Sequence, residues 1–253
     1  MTENPRRSYD LLLENIEADL RSGAIRLGDQ LPGERTLAET YGISRASVRE
    51  GIRILDAMGV LRSSSGSGPK SGAIIISEPS AGLSSALRLH MASHRLPVAD
   101  IVQTRVLLET WAAQSAADRT THDTAEASLA EAAGLLEAMD APDIGRENFH
   151  LLDAQFHVVL TSLAGNAVIE AMMASLRSAI SGYVADAVAL MENWPEVMGV
   201  LQAQHHEIYD AVLAQRGADA ARLLREHIEW FYAQVPAEQK PGPAGAGARP
   251  AEQ

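Results

Sequence analysis

The stretch from Leu31 to Gly66, LPGERTLAETYGISRASVREGIRILDAMGVLRSSSG, constrains this chain more than any other. It reads as two helices joined by a tight turn, the second loaded with arginine. Thr36 to Tyr41 carries Leu37, Ala38 and Tyr41 at i, i+1 and i+4, one face of a short helix. Gly42 supplies the permissive backbone that a sharp turn needs. Ser44 stands where an N-cap belongs, and Arg45 to Met58 resumes a helical period through Val48, Ile52 and Leu55 before Gly59 stops it. Arg45 and Arg49 lie i, i+4 with Ser47 close by, ahead of the apolar half of the helix. A helix entering a DNA major groove needs that order, with its first turns at base edges and phosphates and its far end on a core. An exposed basic face is the bland alternative. The glycine turn, the serine cap and the Ser/Gly hairpin that follows weigh against it and predict a DNA-binding module.

A formal charge of −12 looks wrong for such a module until it is divided along the chain. Residues 1–76 hold ten Lys/Arg and ten Asp/Glu, while the remainder holds eleven against twenty-three. The acid therefore sits away from the arginine helix, and only local arginines need to face phosphate. A length of 253 residues allows two domains, each with its own core. The absence of cysteine excludes a disulfide framework or a cysteine-based zinc finger and fits a reducing cytoplasm. No apolar run approaches about 18 residues, and MTENPRRSYD lacks the apolar core of a signal peptide. The expectation is a cytoplasmic protein with no membrane partner.

From about residue 84 to Val235 the pattern is almost wholly helical. Segments near 84–94, 97–119, 124–139, 143–163, 166–191, 195–215 and 217–234 are punctuated by Pro97, Pro142, Gly165-Asn166, Pro195 and Gly217. Within them Asp153 and His157 lie i, i+4 on one helix face in FHLLDAQFH. His205 lies in LQAQHHEIYDAV and His227 in AARLLREHIEWF. One carboxylate and three imidazoles from three helices suit a divalent metal such as zinc, nickel or manganese, and helix bundles build sites in this way. A histidine on an amphipathic helix is more often a core or boundary residue, and His90, His94, His122, His150 and His206 are read so. Asp153 and His157 alone also read as a salt-linked helix pair.

LPGERTLAETYGISRASVREGIRILDAMGV resembles the winged helix-turn-helix of the GntR family of bacterial transcription regulators, whose pattern runs LPSERELA…GVSRxxVREALxxLxxxGL. The resemblance implies DNA contacts at Arg35, Arg45, Ser47 and Arg49, with Ser44 at the helix cap and Gly66 at the wing tip. The wing departs from the commonest form. SSSGSGPKSGAIII has several glycines and one lysine where many relatives carry a basic or aromatic residue, which leaves its groove contact open.

The helical half is similar to the effector domain of the FadR subfamily, called FCD. Its signatures correspond to Arg105 and Glu109 followed by AAQSAA, to Asp153, Phe156, His157, Leu160 and Ala164-Gly165-Asn166, and to QHHEIYDAVLAQRGADAARLLREH. That alignment selects His205 over His206, so the implied metal set is Asp153, His157, His205 and His227, with zinc foremost. It also implies a small carboxylate effector beside the metal, with Arg105, Asn166 and Arg177 as pocket residues. Arg105 reads equally as an intrahelical partner of Glu109, and Asn166 as a helix cap.

The expected fold is thus mostly α. A winged helix-turn-helix with a small β-wing (1–77) is followed by a linker (78–85), an all-α bundle of six or seven helices (86–235) and a disordered tail (236–253). The resemblance further implies a homodimer on a pseudo-palindromic double-stranded operator, repression relieved by the acid, and no enzymatic activity. Two rivals stay open, a regulator for which the ion itself is the signal and a metalloenzyme fused to a DNA-binding domain.

Overall fold

In a computed structural model, residues 9–64, 72–93, 95–117 and 123–235 are described. Gly66, His94, His122 and the tail expected at 236–253 lie outside them. The chain forms two compact units that divide between Leu83 and Ser84.

The first unit contains α1 (Asp10–Ser22), α2 (Glu34–Tyr41), α3 (Arg45–Ala57), β1 (Leu61–Ser64) and β2 (Gly72–Ile75). The strands pair antiparallel, Leu61 opposite Ile75 and Ser64 opposite Gly72. The extended link before α2 joins this ribbon, with Leu31 N donating to Ala73 O at 2.8 Å and Ile75 N to Asp29 O at 2.9 Å. Leu12 and Ile16 of α1, Leu37 of α2, Val48 and Leu55 of α3, and Leu61 and Ile75 of the ribbon form one core. Tyr41 ties α2 to α1 by donating to Asp19 Oδ2 at 2.6 Å.

Two glycines turn the chain. Gly42 ends α2 at φ 66°, so α3 can start three residues later. Gly59, at φ 72°, follows α3 where an added Cβ would stand 2.3 Å from the Glu78 carbonyl oxygen.

The described residues of the second unit form helices and the turns that join them, with no strand among them. It comprises α4 (Pro79–Ala92, from Ser84 onward), α5 (Val98–Ala117), α6 (Asp123–Met139), α7 (Arg146–Ser162), α8 (Ala167–Ala189), α9 (Trp194–Leu213) and α10 (Gly217–Gln234). α5 is packed by α7, α8, α9 and α10 and is the axis of the bundle. Its Ala113 and Ala116 are small enough to let neighbours approach, and Phe149, Phe156, Met173, Ile208 and Leu224 fill the space around them.

The stretch 78–85, expected as a linker, is helical from Pro79. Its Pro, Gly and Ser content reads as a break, but proline is tolerated in a first helical turn. Packing of the following residues decides the matter, since Ser84 is buried and Leu87 and Met91 lie against the bundle core.

Both turn glycines predict a graded cost. Gly42→Ala meets nothing within 4 Å and carries only the left-handed strain, about 1–2 kcal/mol. Gly59→Ala adds the backbone clash and should cost more, about 3 kcal/mol or above. Amide hydrogen exchange at Leu61 and Ile75 measures both; equal loss of protection would refute the ranking.

Candidate DNA interface and metal centre

The first turn of α3 is organised by Ser44, whose Oγ accepts from Ser47 N at 3.1 Å and lies 2.9 Å from Ser47 Oγ. Arg45 and Arg49 stand exposed one turn apart, and Arg53 continues the row. Arg53 was missed by the sequence reading, although its i+4 spacing from Arg49 was visible. Arg35 is exposed on α2. Arg49 forks onto Glu34, Nε to Oε1 at 3.0 Å and Nη2 to Oε2 at 2.7 Å. The hydrogen bonds from Arg49 hold the Glu34 carboxyl below its ordinary value. This exposed pair fixes the direction of the guanidinium at little energetic cost to its release, and the same fork geometry fits a phosphate or a guanine edge.

In the second unit, five helices converge on one buried cluster. α7 supplies Asp153 and His157, α9 supplies Gln204 and His205, and α10 supplies His227. α5 contributes Arg105 and Glu109, and α8 contributes Arg177. One ligand atom from each of Asp153, His157, His205 and His227 lies within 4.8 Å of the others. His206, next in sequence, points elsewhere and pairs with Asp140 at 2.7 Å near the surface.

The outer nitrogens of two imidazoles are already committed. Glu109 Oε2 accepts from Nδ1–H of His157, and Gln204 Oε1 accepts from Nδ1–H of His227 at 2.9 Å. Both rings therefore turn Nε2 inward, and these two atoms are 3.2 Å apart, within hydrogen-bonding distance. His205 has neither ring nitrogen hydrogen-bonded. Asp153 Oδ1 stands 3.1 Å from its Nε2 without hydrogen-bond alignment, and the ring is held by Phe156 at 5.0 Å and by stacking on Phe149 at 6.3 Å.

The electrostatics keep these groups in metal-binding form. Burial, then the neighbouring His205 and His157 rings, hold His227 well below the ordinary imidazole value. Burial also lowers His205 against the opposing pull of Asp153. Burial pushes the Asp153 carboxyl up, but the Arg177 guanidinium and the neighbouring His157 and His205 rings outweigh it and hold it well below its usual range. Glu109 is likewise pushed up by burial and drawn down, by Arg105 first, to about 2. Two arginines and two carboxylates thus cancel around three imidazoles, of which His205 and His227 are held neutral by burial.

This donor set fits a divalent transition metal. Two imidazole nitrogens on one ion stand roughly 3.0–3.4 Å apart, given metal–nitrogen bonds of about 2.0–2.1 Å. The outward hydrogen bonds of His157 and His227 are the orienting partners that ligating histidines take. Glu109 was read in the sequence only as the partner of Arg105. Gln204 carried no signal, since neither its spacing nor its type marks it.

Arg105 and Arg177 line a cavity with His150, Asp153 and His227, against an apolar wall that includes Phe149, Trp194 and Phe231. Arg177 pairs with Asp153, and its buried Nε has no partner. Arg105 both pairs with Glu109 at 2.8 Å and faces this cavity. Asn166 does not line it. Its Oδ1 caps α8, accepting from Val168 N at 3.1 Å and Ile169 N at 3.2 Å.

Residues 100–229 match the FCD domain, and residues 8–70 match the family described as bacterial regulatory proteins, gntR family. The chain is 26% identical over 234 residues to the Glc operon transcriptional activator of Escherichia coli K12, covering 90% of this chain and 89% of that protein. It is 27% identical over 211 residues to the HTH-type transcriptional regulator LutR of Bacillus subtilis, covering 83% and 92%. Against the HTH-type transcriptional repressor NanR of Edwardsiella tarda it is 28% identical, covering 90% and 85%. Its fold is similar to that of a Streptococcus agalactiae GntR structure, with a TM-score of 0.57, 23% identity and coverage of 89% and 98%. An exposed arginine helix capped for DNA, followed by a helical bundle with its polar groups gathered at the centre, agrees with both domain matches: the chain belongs to the GntR family, as a DNA-binding transcription regulator with an FCD domain and not an enzyme.

Proposed function

We propose that operator binding by this regulator is controlled by a small carboxylate that binds beside a divalent transition metal, zinc foremost, held by Asp153, His157, His205 and His227. The observation that carries this reading is the convergence of one ligand atom from each of these four side chains to within 4.8 Å, with His157 Nε2 and His227 Nε2 3.2 Å apart and both outer nitrogens committed. Where Nδ1–H is the one N–H of each ring, these two atoms present lone pairs to each other, and a cation between them relieves their repulsion. A divalent ion adds two positive charges to a cluster whose formal charges cancel, and the arginines Arg105 and Arg177 border the same cavity. An anion is the ligand that such a site draws, and a carboxylate satisfies both an open metal position and a guanidinium fork.

The operator contacts of this proposal are Arg35, Arg45, Ser47 and Arg49, with Ser44 as cap, on a pseudo-palindromic site read by a homodimer in the cytoplasm. Exposed apolar pairs at helical spacing, Leu107 with Trp111 on α5 and Val168 with Met172 on α8, supply a surface for the second copy. Among the described residues no helix is long and apolar enough to cross a membrane. The sense of regulation in this proposal is repression relieved by the acid; NanR is named a repressor, whereas the Glc operon protein is named an activator.

One observation favours the ion itself as signal. The cavity leaves only about 30 Å³ for the centre of a water-sized sphere, room for a water or two. Operator binding that responds to metal with no acid present would select that reading.

Elemental analysis tests the metal. The purified untagged protein should carry about one equivalent of transition metal and an Asp153→Ala/His157→Ala variant almost none; no metal in the parent would remove the centre from the proposal.

Acid should destabilise the metal-free bundle. His205 and His227 are held neutral by burial, while in the unfolded chain they titrate near about 6.5. Their contribution is therefore complete above about pH 6.5 and is lost as pH falls from there toward the depressed folded values. All three tryptophans, Trp111, Trp194 and Trp230, lie in the bundle. Urea unfolding followed by their fluorescence should show a lower midpoint at pH 5.5 than at pH 7.5. A shallower pH dependence is expected for His227→Gln, and an equal one would discount the histidines.

On a DNA fragment selected from random sequence by the parent protein, Arg49→Ala should weaken binding at least about tenfold per half-site, with the fold and the oligomeric state unchanged. Unaltered affinity would move the recognition surface off α3.

A further inference from the structure

Beside the metal cavity lies a second, larger space. A half-open groove between α7 and α8 is bordered by Glu147, His150 and Leu151 on one side and by Gly182, Ala185 and Ala189 on the other. It offers about 420 Å³ for the centre of a water-sized sphere, against about 30 Å³ in the inner cavity. His150 and Val188 line both spaces, so those two side chains are what stands between them. His150 Nε2 is buried with no hydrogen-bond partner, and so is Arg177 Nε on the inner side, where the Arg177 side chain is 7% exposed. The far end of the groove is fixed by Arg146, which donates to Val188 O at 3.0 Å and Ala189 O at 3.3 Å.

We propose that the groove is the outer half of the effector site, taking an uncharged, largely apolar substituent of the acid, with His150 as the gate. This rests on the carboxylate reading of the inner cavity. An acid whose head sits on the metal and the arginines has too little room inside for a chain of several carbons. The groove continues that room past His150, over a floor of Leu151, Gly182, Ala185 and Val188 that carries no charge. Arg146 and Glu147 are the charged groups at its mouth, and Arg146 is occupied by the α8 carbonyls. The effector class is therefore a monocarboxylic acid with an aliphatic or aromatic tail, and not a short di- or tricarboxylate.

Gly182 makes the groove testable without touching the metal cluster. A Cβ added there meets nothing within 4 Å, so a side chain grown from it enters open groove, and replacing glycine inside a helix does not lower helix propensity. Acetate, succinate, hexanoate and phenylacetate are titrated calorimetrically into the full chain, with and without one equivalent of zinc. Each buried methylene adds about fourfold in affinity, so hexanoate should bind at least about tenfold more tightly than acetate, and succinate no better than acetate. In Gly182→Phe that advantage should shrink to about threefold or less, with acetate binding within about twofold of the parent. Ala185→Phe fills the same groove from the next turn and should act alike, in case the first variant folds poorly.

Acetate binding with no gain for hexanoate, or a gain that survives both substitutions, would overturn the groove while leaving the carboxylate reading intact. Failure of every acid to bind the parent would overturn the carboxylate reading and the groove with it. A change in oligomeric state on Gly182→Phe, with acid binding untouched, would assign the groove to a contact between copies of the chain.

Discussion

Glu109 has a side chain only 1% exposed in the middle of a helical bundle, and a carboxylate there costs several kcal/mol unless it is matched. Two groups match it, Arg105 one turn back on α5 and the Nδ1–H of His157 on α7. A second carboxylate, Asp153, is matched by Arg177 from α8. These contacts set the registers of α5, α7 and α8 against one another more sharply than Leu and Ala contacts do, because sliding one helix by a residue would strand a charge in the core. The positions of His157, and through Asp153 the surroundings of His205 and His227, follow from that constraint.

Stability alone does not account for such a core. Replacing a buried ionic cluster with well-packed apolar residues of similar volume is often neutral or favourable. Here the cluster also includes His205 with both ring nitrogens unpartnered and two imidazole Nε2 atoms facing each other. A purely structural network would close those valences with hydrogen bonds, as happens at Tyr41 and Asp19 in the first unit. Ring nitrogens gathered this closely suit the ligand-binding centre proposed above, and the hydrogen bonds to Glu109 and Gln204 orient two of the three rings.

The helix-turn-helix was legible because its determinants are local. A glycine turn, a serine cap and an apolar period occupy adjacent positions, and the structure places α2 and α3 within two residues of the sequence reading. The bundle was legible as helices but less so at its edges. The stretch after Ile76 has a linker's composition, yet it is helical from Pro79 because packing against partners distant in sequence outweighs local preference. In the cluster, the charged and imidazole groups could be named from residue type and family pattern. Gln204 and His150 could not, since their parts depend on which neighbour each faces across the bundle. Asn166 admitted two readings from sequence, and the hydrogen bonds to Val168 N and Ile169 N place it at the cap of α8.

Asp153 and Arg177 link the two halves of the proposed control. Asp153 turns Oδ1 toward the imidazoles and Oδ2 toward Arg177, while Arg177 also borders the cavity where an acid would lie. A carboxylate drawn to Arg177 therefore acts on the same aspartate that would hold the metal, and the two ligands cannot be energetically independent. By linkage, whatever factor the acid contributes to metal affinity the metal returns to acid affinity. The same bookkeeping limits the response at the operator: an acid can shift the regulator between arrangements only by as much as its affinity differs between them. A tail held in the groove between α7 and α8 enlarges that difference only to the extent that the groove itself changes between the arrangements.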